Sequence, residues 1–336
     1  MIKIAIRADG GPKIGMGHIT RCLALAEELA GDNCIITFII KRDETTIDLI
    51  SSKGFKTIAL PRLSFDEEIN FMKIVVKCFD ILITDSYDID LKYLMEMKNT
   101  GIYLITIDDL NHLESYPSDV VINGNIYAED LNYKSTYGNT QFLLGPEYIL
   151  LRKEFIGLSQ RKINKKCNNI LITMGGSDPV HFSLSISEQL IDLGIKLHVV
   201  IGPAFDEQYK SFLMDFASHH GNVSLYKSLP ADRMRDLMLK ADVGISAGGS
   251  TLYELAATGT PTIALIAADN QLMNVKKMSS LHMINVNNDI ADIKNDTERL
   301  INDFDERSRL CNSMKDIFNI SGHAKIKEII LGHTAN

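Results

Sequence analysis

A chain of 336 residues exceeds what one hydrophobic core usually organises, so two domains of about 150 residues each are expected. Hydrophobic residues make up 45%, charged residues 23%, and the net charge is −8, with both signs mixed along the chain. That balance excludes a nucleic-acid or anionic-membrane surface, which needs a positive field, but leaves room for a small anion held by backbone N–H groups. The five cysteines are widely spaced without a C-x-x-C, which excludes a disulfide framework and a cysteine zinc site. The sequence shows no signal-peptide pattern and no apolar run near the roughly 20 residues of an integral membrane segment, so the cytoplasm is the expected location.

Ile2–Arg7 opens the chain as a buried strand, and a helix over Gly17–Ala30 follows, with apolar residues at Leu23, Leu25, Ala26 and Leu29. Cys34–Ile40, Lys56–Leu60, Ile81–Thr84 and Tyr103–Ile107 read as further strands. The polar, lysine-rich stretch Ser159–Asn169 then reads as a linker or exposed loop. Beyond it the alternation restarts. Strands are predicted at Ile170–Met174, Leu197–Ile201, Val223–Tyr226, Val243–Ser246 and Thr262–Leu265. Helices are predicted over Val180–Leu193, Asp232–Lys240 and Ser250–Thr258. Such alternation implies an α/β protein with two doubly wound, Rossmann-like domains and an interdomain cleft, residues 1–155 and 165–336. Ligands of open parallel sheets sit outside the carboxyl ends of the strands, so the loops that follow strands are the candidate site.

The first such loop, Ala8 to His18, carries Gly15 and Gly17, which allow a tight turn and close backbone approach. It is neither the dinucleotide fingerprint nor a Walker A loop, so NAD is not expected. Instead it delivers His18 to a helix N-terminus, where the dipole favours the neutral imidazole that a general base requires. Local capping or packing is the alternative role. Arg21, three residues on along the same face, is placed to contact an anion or orient a carboxylate. Asp85-Ser86-Tyr87 follows another strand and can reach the cleft, whereas Asp108-Asp109 reads as a turn rather than a catalytic pair.

In the second half, Gly175-Gly176-Ser177-Asp178-Pro179 reads as a helix start, with Ser177 or Asp178 as cap and Pro179 at the first helical position. Gly248-Gly249-Ser250-Thr251 forms an anion-binding turn, and Glu254 lies one turn into the helix after it. A carboxylate there either complements the helix dipole or accepts two hydrogen bonds from vicinal ribose hydroxyls while a diphosphate rests on the helix end. Asp269-Asn270-Gln271 follows the next strand, where Asn270 and Gln271 either bind sugar hydroxyls or phosphate or form a plain turn.

Arg7-x-Asp9, Ile14-Gly15-Met16-Gly17-His18-Ile19-x-Arg21, Asp85-Ser86-Tyr87, Leu144-Gly145-Pro146 through Arg152-x-Glu154-Phe155, and Met174 through Asp178 together resemble the PseG family. Its members are UDP-2,4-diacetamido-2,4,6-trideoxy-β-L-altropyranose hydrolases of pseudaminic acid biosynthesis. Ala247–Leu265 is similar to the wider GT-B group that includes the MurG glycosyltransferases. The resemblance implies hydrolysis of a UDP-sugar at the anomeric C–O bond with inversion, without metal or cofactor. It implies His18 as the base for water, Tyr87 as an active-site tyrosine and Glu254 as the ribose-binding glutamate. Residues after about 275 match poorly and receive no role.

Overall fold

The computed structural model describes residues 1–11, 15–31, 33–159, 161–315, 317 and 322–333. Pro12, Lys13 and Ile14 of the first glycine loop, and Gln160 of the lysine-rich stretch, lie outside the described residues. The chain forms two compact units, Met1–Leu150 with Ser321–Asn336, and Leu151–Ile320.

The first unit runs β1 (Ile2–Ala8), α1 (Gly17–Leu29), β2 (Cys34–Lys41), α2 (Glu44–Ser52), β3 (Lys56–Leu60), α3 (Phe65–Val75), β4 (Ile81–Asp85), α4 (Leu91–Lys98), β5 (Tyr103–Ile107), β6 (Val120–Asn123) and β7 (Gln141–Leu144). The second runs β8 (Asn169–Thr173), α5 (Phe182–Leu190), β9 (Lys196–Ile201), α6 (Glu207–His219), β10 (Val223–Lys227), α7 (Ala231–Lys240), β11 (Val243–Ala247), α8 (Thr251–Ala257), β12 (Thr262–Leu265), α9 (Leu272–Ser280), β13 (Asn285–Val286), α10 (Ile293–Asn302) and α11 (Phe304–Met314). The last helix, α12 (Gly322–His333), belongs to the first unit.

Seven strands of the first sheet lie in the order β3-β2-β1-β4-β5-β6-β7, and six of the second in the order β10-β9-β8-β11-β12-β13. Every pairing is parallel. Each order reverses beside the unit's first strand, which places the loops after β1 and β4, and those after β8 and β11, at a switch point. Parallel strands covered on both faces need apolar residues at consecutive positions, and β1 shows why. Ile4, Ile6 and Ala8 pack with Leu25 and Leu29 of α1 on one face. Ala5 points to the other, with Ile69 and Met72 of α3 and Leu94 and Met97 of α4.

The predicted strands all form, shifted by a residue or so at their ends, while β6, β7 and β13 were not anticipated. Three expectations need correction. First, the tail does not belong with residues 165–336. Ile326 and Ile330 of α12 are buried in the core around α1, and Gly322 approaches the Tyr148 and Ile149 backbone so closely that a Cβ would meet it at 2.7 Å. Second, of the two readings of 159–169 the exposed loop holds and the free linker does not. Arg161 donates to the Met238 carbonyl at 2.9 Å, Asp242 accepts from the Asn168 and Asn169 N–H groups, and buried Arg307 donates to the Asn164 and Lys165 carbonyls. Third, Pro179 is not the first helical residue. Helix α5 begins at Phe182, because His181 adopts a left-handed φ of 57°. Asp178 still serves the start of that helix from a distance, accepting from the N–H groups of Phe182 at 2.9 Å and Ser183 at 2.7 Å. Among the described residues no helix is long and apolar enough to cross a membrane.

Candidate active site

At the switch point of the first sheet the side chains close a ring of contacts. His18 enters from the first turn of α1 and is 6% exposed. Its Nδ1 lies 2.6 Å from Asp85 Oδ1 at the end of β4. Arg21, one turn along α1, donates to both Asp85 oxygens at 2.7 and 2.6 Å and to both Asp109 oxygens at 2.7 and 2.9 Å. Asp109, just beyond β5, also accepts from the Tyr87 hydroxyl at 2.9 Å and the Asn125 amide at 2.7 Å. The Tyr87 ring returns to His18 edge-on, with centroids 4.7 Å apart.

The electrostatics follow from these partners. Burial alone would raise the pKa of Asp85, which is fully buried, but the Arg21 guanidinium and the His18 ring hold it well below the usual carboxylate range. Asp109 behaves alike: burial opposes its charge, and Arg21 prevails to lower its pKa. Burial and the adjacent Asp109 push the Tyr87 phenol up, so it stays protonated and donates its hydrogen bond to Asp109. Arg21 Nη2 also sits 3.1 Å from His18 Nδ1, the longer of that nitrogen's two contacts. The shorter, charge-assisted one assigns the Nδ1 proton to the bond with Asp85. In that tautomer Nε2 carries a lone pair.

The carboxyl end of β1 is braced separately. Buried Arg7 donates to Glu68 at 2.8 Å and to Asp9 at 2.7 Å, and Ser86 donates to Asp9, which ties the loop after β4 to the loop after β1. Gly15, with φ of 86°, exchanges backbone hydrogen bonds with Gly11, and among the described residues beyond their own chain neighbours and helix backbone none comes within 4 Å of where a Cβ on Gly15 or Gly17 would stand.

The second unit builds its switch point from backbone. Gly175 needs its positive φ of 80°, and Thr251 Oγ1 lies 3.7 Å from where its Cβ would be, so the two glycine loops are neighbours. Gly176 accepts from the Ala204 N–H at 2.9 Å, while Ser177 stays half-exposed beside it. A Cβ on Gly248 would run into Val275 Cγ2, so glycine suits that position. The N–H groups of Gly249, Ser250 and Thr251 find no acceptor among the described residues, which suits an anion. Gln271 is occupied structurally: its Oε1 accepts from the N–H groups of Gly248 at 3.1 Å and Ala267 at 2.9 Å, pinning the two loops together. Asn270 is exposed. Glu254 is mostly buried and is gripped by a two-pronged ion pair with Arg152, at 2.7 and 2.8 Å.

Thus His18, Arg21, Asp85 and Tyr87 meet in one place, as do Gly175, Gly176, Gly248, Gly249, Ser250, Thr251 and Gln271 in another. Asp85 stands behind the His18 ring rather than in the open, so it orients that ring. Asp109 and Arg152 were missed as site residues. The available signals were a carboxylate directly after a strand and an arginine within the Leu150-Leu151-Arg152 motif. Among the described residues no group of three or more His, Cys, Asp or Glu is arranged to hold a metal ion.

Two parallel-sheet α/β units of this kind make the GT-B fold, and solved structures with that fold agree over nearly the whole chain. The MurG structure from Acinetobacter baumannii matches with a TM-score of 0.70 at 13% identity, covering 99% of this chain and all of the other. The spinosyn rhamnosyltransferase SpnG matches with a TM-score of 0.67 at 10% identity, covering 98% and 100%. No family model matches the chain. The chain belongs to the family of the spore coat polysaccharide biosynthesis protein SpsG of Bacillus subtilis, 30% identical over 287 residues that cover 81% of this chain and 80% of that protein. The UDP-2,4-diacetamido-2,4,6-trideoxy-β-L-altropyranose hydrolase of Campylobacter jejuni (PseG) is 28% identical, with 67% of this chain and 78% of that protein covered. The uncharacterized protein MJ1062 of Methanocaldococcus jannaschii is 32% identical over 84% of this chain, which spans 60% of its length.

Proposed function

We propose that the protein hydrolyses a UDP-linked 2,4-diacetamido-2,4,6-trideoxy sugar to UDP and free sugar, with inversion at the anomeric carbon and without metal or cofactor. The observation that carries the reading is the 2.6 Å contact between His18 Nδ1 and buried Asp85, because it leaves Nε2 as the proton acceptor. The name of the Campylobacter relative supports the substrate class.

In this reading the Gly248–Thr251 loop holds the diphosphate and Glu254 the ribose. Nε2 takes a proton from a water whose oxygen attacks the anomeric carbon on the face opposite UDP. The C–O bond breaks and its electron pair leaves with UDP, a leaving group that backbone N–H donors stabilise without a strong general acid. A retaining mechanism needs two carboxyl groups about 5 Å apart flanking the bond. Asp85 and Asp109 do not meet that need, since both are saturated by Arg21. Tyr87, with its proton committed to Asp109, offers the sugar an oxygen lone pair rather than an acid.

The test is UDP release from a panel of UDP- and other NDP-sugars, with and without acceptor alcohols and with EDTA. Hydrolysis predicts release in water alone, unaffected by the chelator. Release only with an acceptor would make the protein a glycosyltransferase, the other chemistry of its fold class. Loss with EDTA would end the metal-free mechanism.

A further inference from the structure

We propose that Arg152 is a positioning residue that restricts Glu254 to a single ribose hydroxyl. The inference rests on the UDP-binding reading above. An ionised carboxylate offers about four lone-pair sites, two on its inner edge between the oxygens and one on each outer flank. Arg152 Nε reaches Oε1 at 2.7 Å and Nη2 reaches Oε2 at 2.8 Å, a parallel fork that fills the inner edge. The two flanks that remain point away from each other. Adjacent hydroxyls of one ribose ring sit side by side and can span the inner edge, but not both flanks. With the fork in place, one hydroxyl docks and its neighbour does not.

Two further features hold the fork. The guanidinium stands 5.1 Å over the Phe155 ring, which fixes its plane. Both side chains are largely shielded, with 26% and 11% exposure, so water competes poorly for the pair. The pair is also neutral as a unit, so Glu254 can stand near a diphosphate without repelling it. Lysine keeps the charge and loses the fork.

Calorimetric titration of the full-length protein with UDP, 2′-deoxy-UDP and 3′-deoxy-UDP tests this. The wild type is expected to lose roughly tenfold or more in affinity for one deoxy nucleotide and less than about twofold for the other. In Arg152→Lys and Arg152→Gln the inner edge opens, and both deoxy nucleotides should bind several-fold more weakly than UDP. Should the glutamine variant not fold, the lysine variant carries the test alone. Equal losses for both deoxy nucleotides in the wild type, or no loss for either, would overturn the proposal while UDP binding stands. So would a single-hydroxyl pattern that survives in the variants. Failure of UDP itself to bind would overturn the functional reading as well.

Discussion

The two sheets share one strand order and therefore one pair of adjoining loops at the switch point, yet they furnish those loops in opposite ways. In the first unit the point is filled with polar and charged side chains, five of them linked from His18 through Asp85, Arg21 and Asp109 to Tyr87. In the second, glycines bring backbone to the surface, and the N–H groups of Gly249, Ser250 and Thr251 have no acceptor among the described residues. Side chains in a buried, saturated network can set a proton's position. Bare backbone donors can hold an anion of fixed shape. The proposed reaction draws on the first unit for chemistry and on the second for grip.

Substitutions can break that division. The largest effect is expected at His18: replacement by alanine should lower kcat by about a thousandfold or more while UDP affinity, by calorimetry, changes less than about twofold. A parallel loss of UDP binding would contradict the division. Asp85→Asn should follow, with a kcat loss of about 10²- to 10³-fold, because an amide no longer dictates which ring nitrogen carries the proton.

Next comes an effect on the frame of the first unit rather than its chemistry. Burial pushes the His323 ring of α12 down to about 4, and its Nε2 has no partner among the described residues. The unfolded chain takes up this proton near pH 6.5, the folded one only near pH 4. Stability is therefore fully present above about pH 6.5 and declines by on the order of 3 kcal/mol as the pH falls toward 4. Urea unfolding at a series of pH values should show this slope in the wild type and a flatter one in His323→Leu. Equal slopes would refute it.

The second unit should yield binding effects only. Gly248→Ala forces a Cβ against Val275, and UDP should bind about tenfold more weakly with kcat at saturation unchanged. The smallest effect is expected from Tyr87→Phe, which keeps the ring edge on His18 but loses the bond to Asp109, for a several-fold drop in kcat/KM.

Much of this was legible in the sequence where a loop follows a strand. His18, Arg21, Asp85 and the glycines of both units are readable because strand, turn residues and helix start adjoin in the chain. Asp109 was not. It and Asp108 are equivalent as text, yet Asp108 caps the turn by accepting from the Asn111 N–H, and Asp109 faces Arg21 from 88 residues away. Glu254 was legible as a position but not as a pair, since its partner lies 102 residues off. Strands β6 and β7 are four residues each and no α-helix lies between β5, β6 and β7, so the strand–helix alternation that marks the other strands is missing there. The return of α12 to the first unit rests on Ile326 and Ile330 packing against α1, a contact that no local signal announces.

The account depends most on which nitrogen of His18 holds the proton, and nitrogen-15 NMR of the histidine rings reads that directly. At the pH of activity, the His18 ring should show a protonated Nδ1 with a strongly deshielded proton and an unprotonated Nε2, a pattern lost in Asp85→Asn. A proton found on Nε2 of the wild-type ring would leave no base facing the water and would contradict the mechanism.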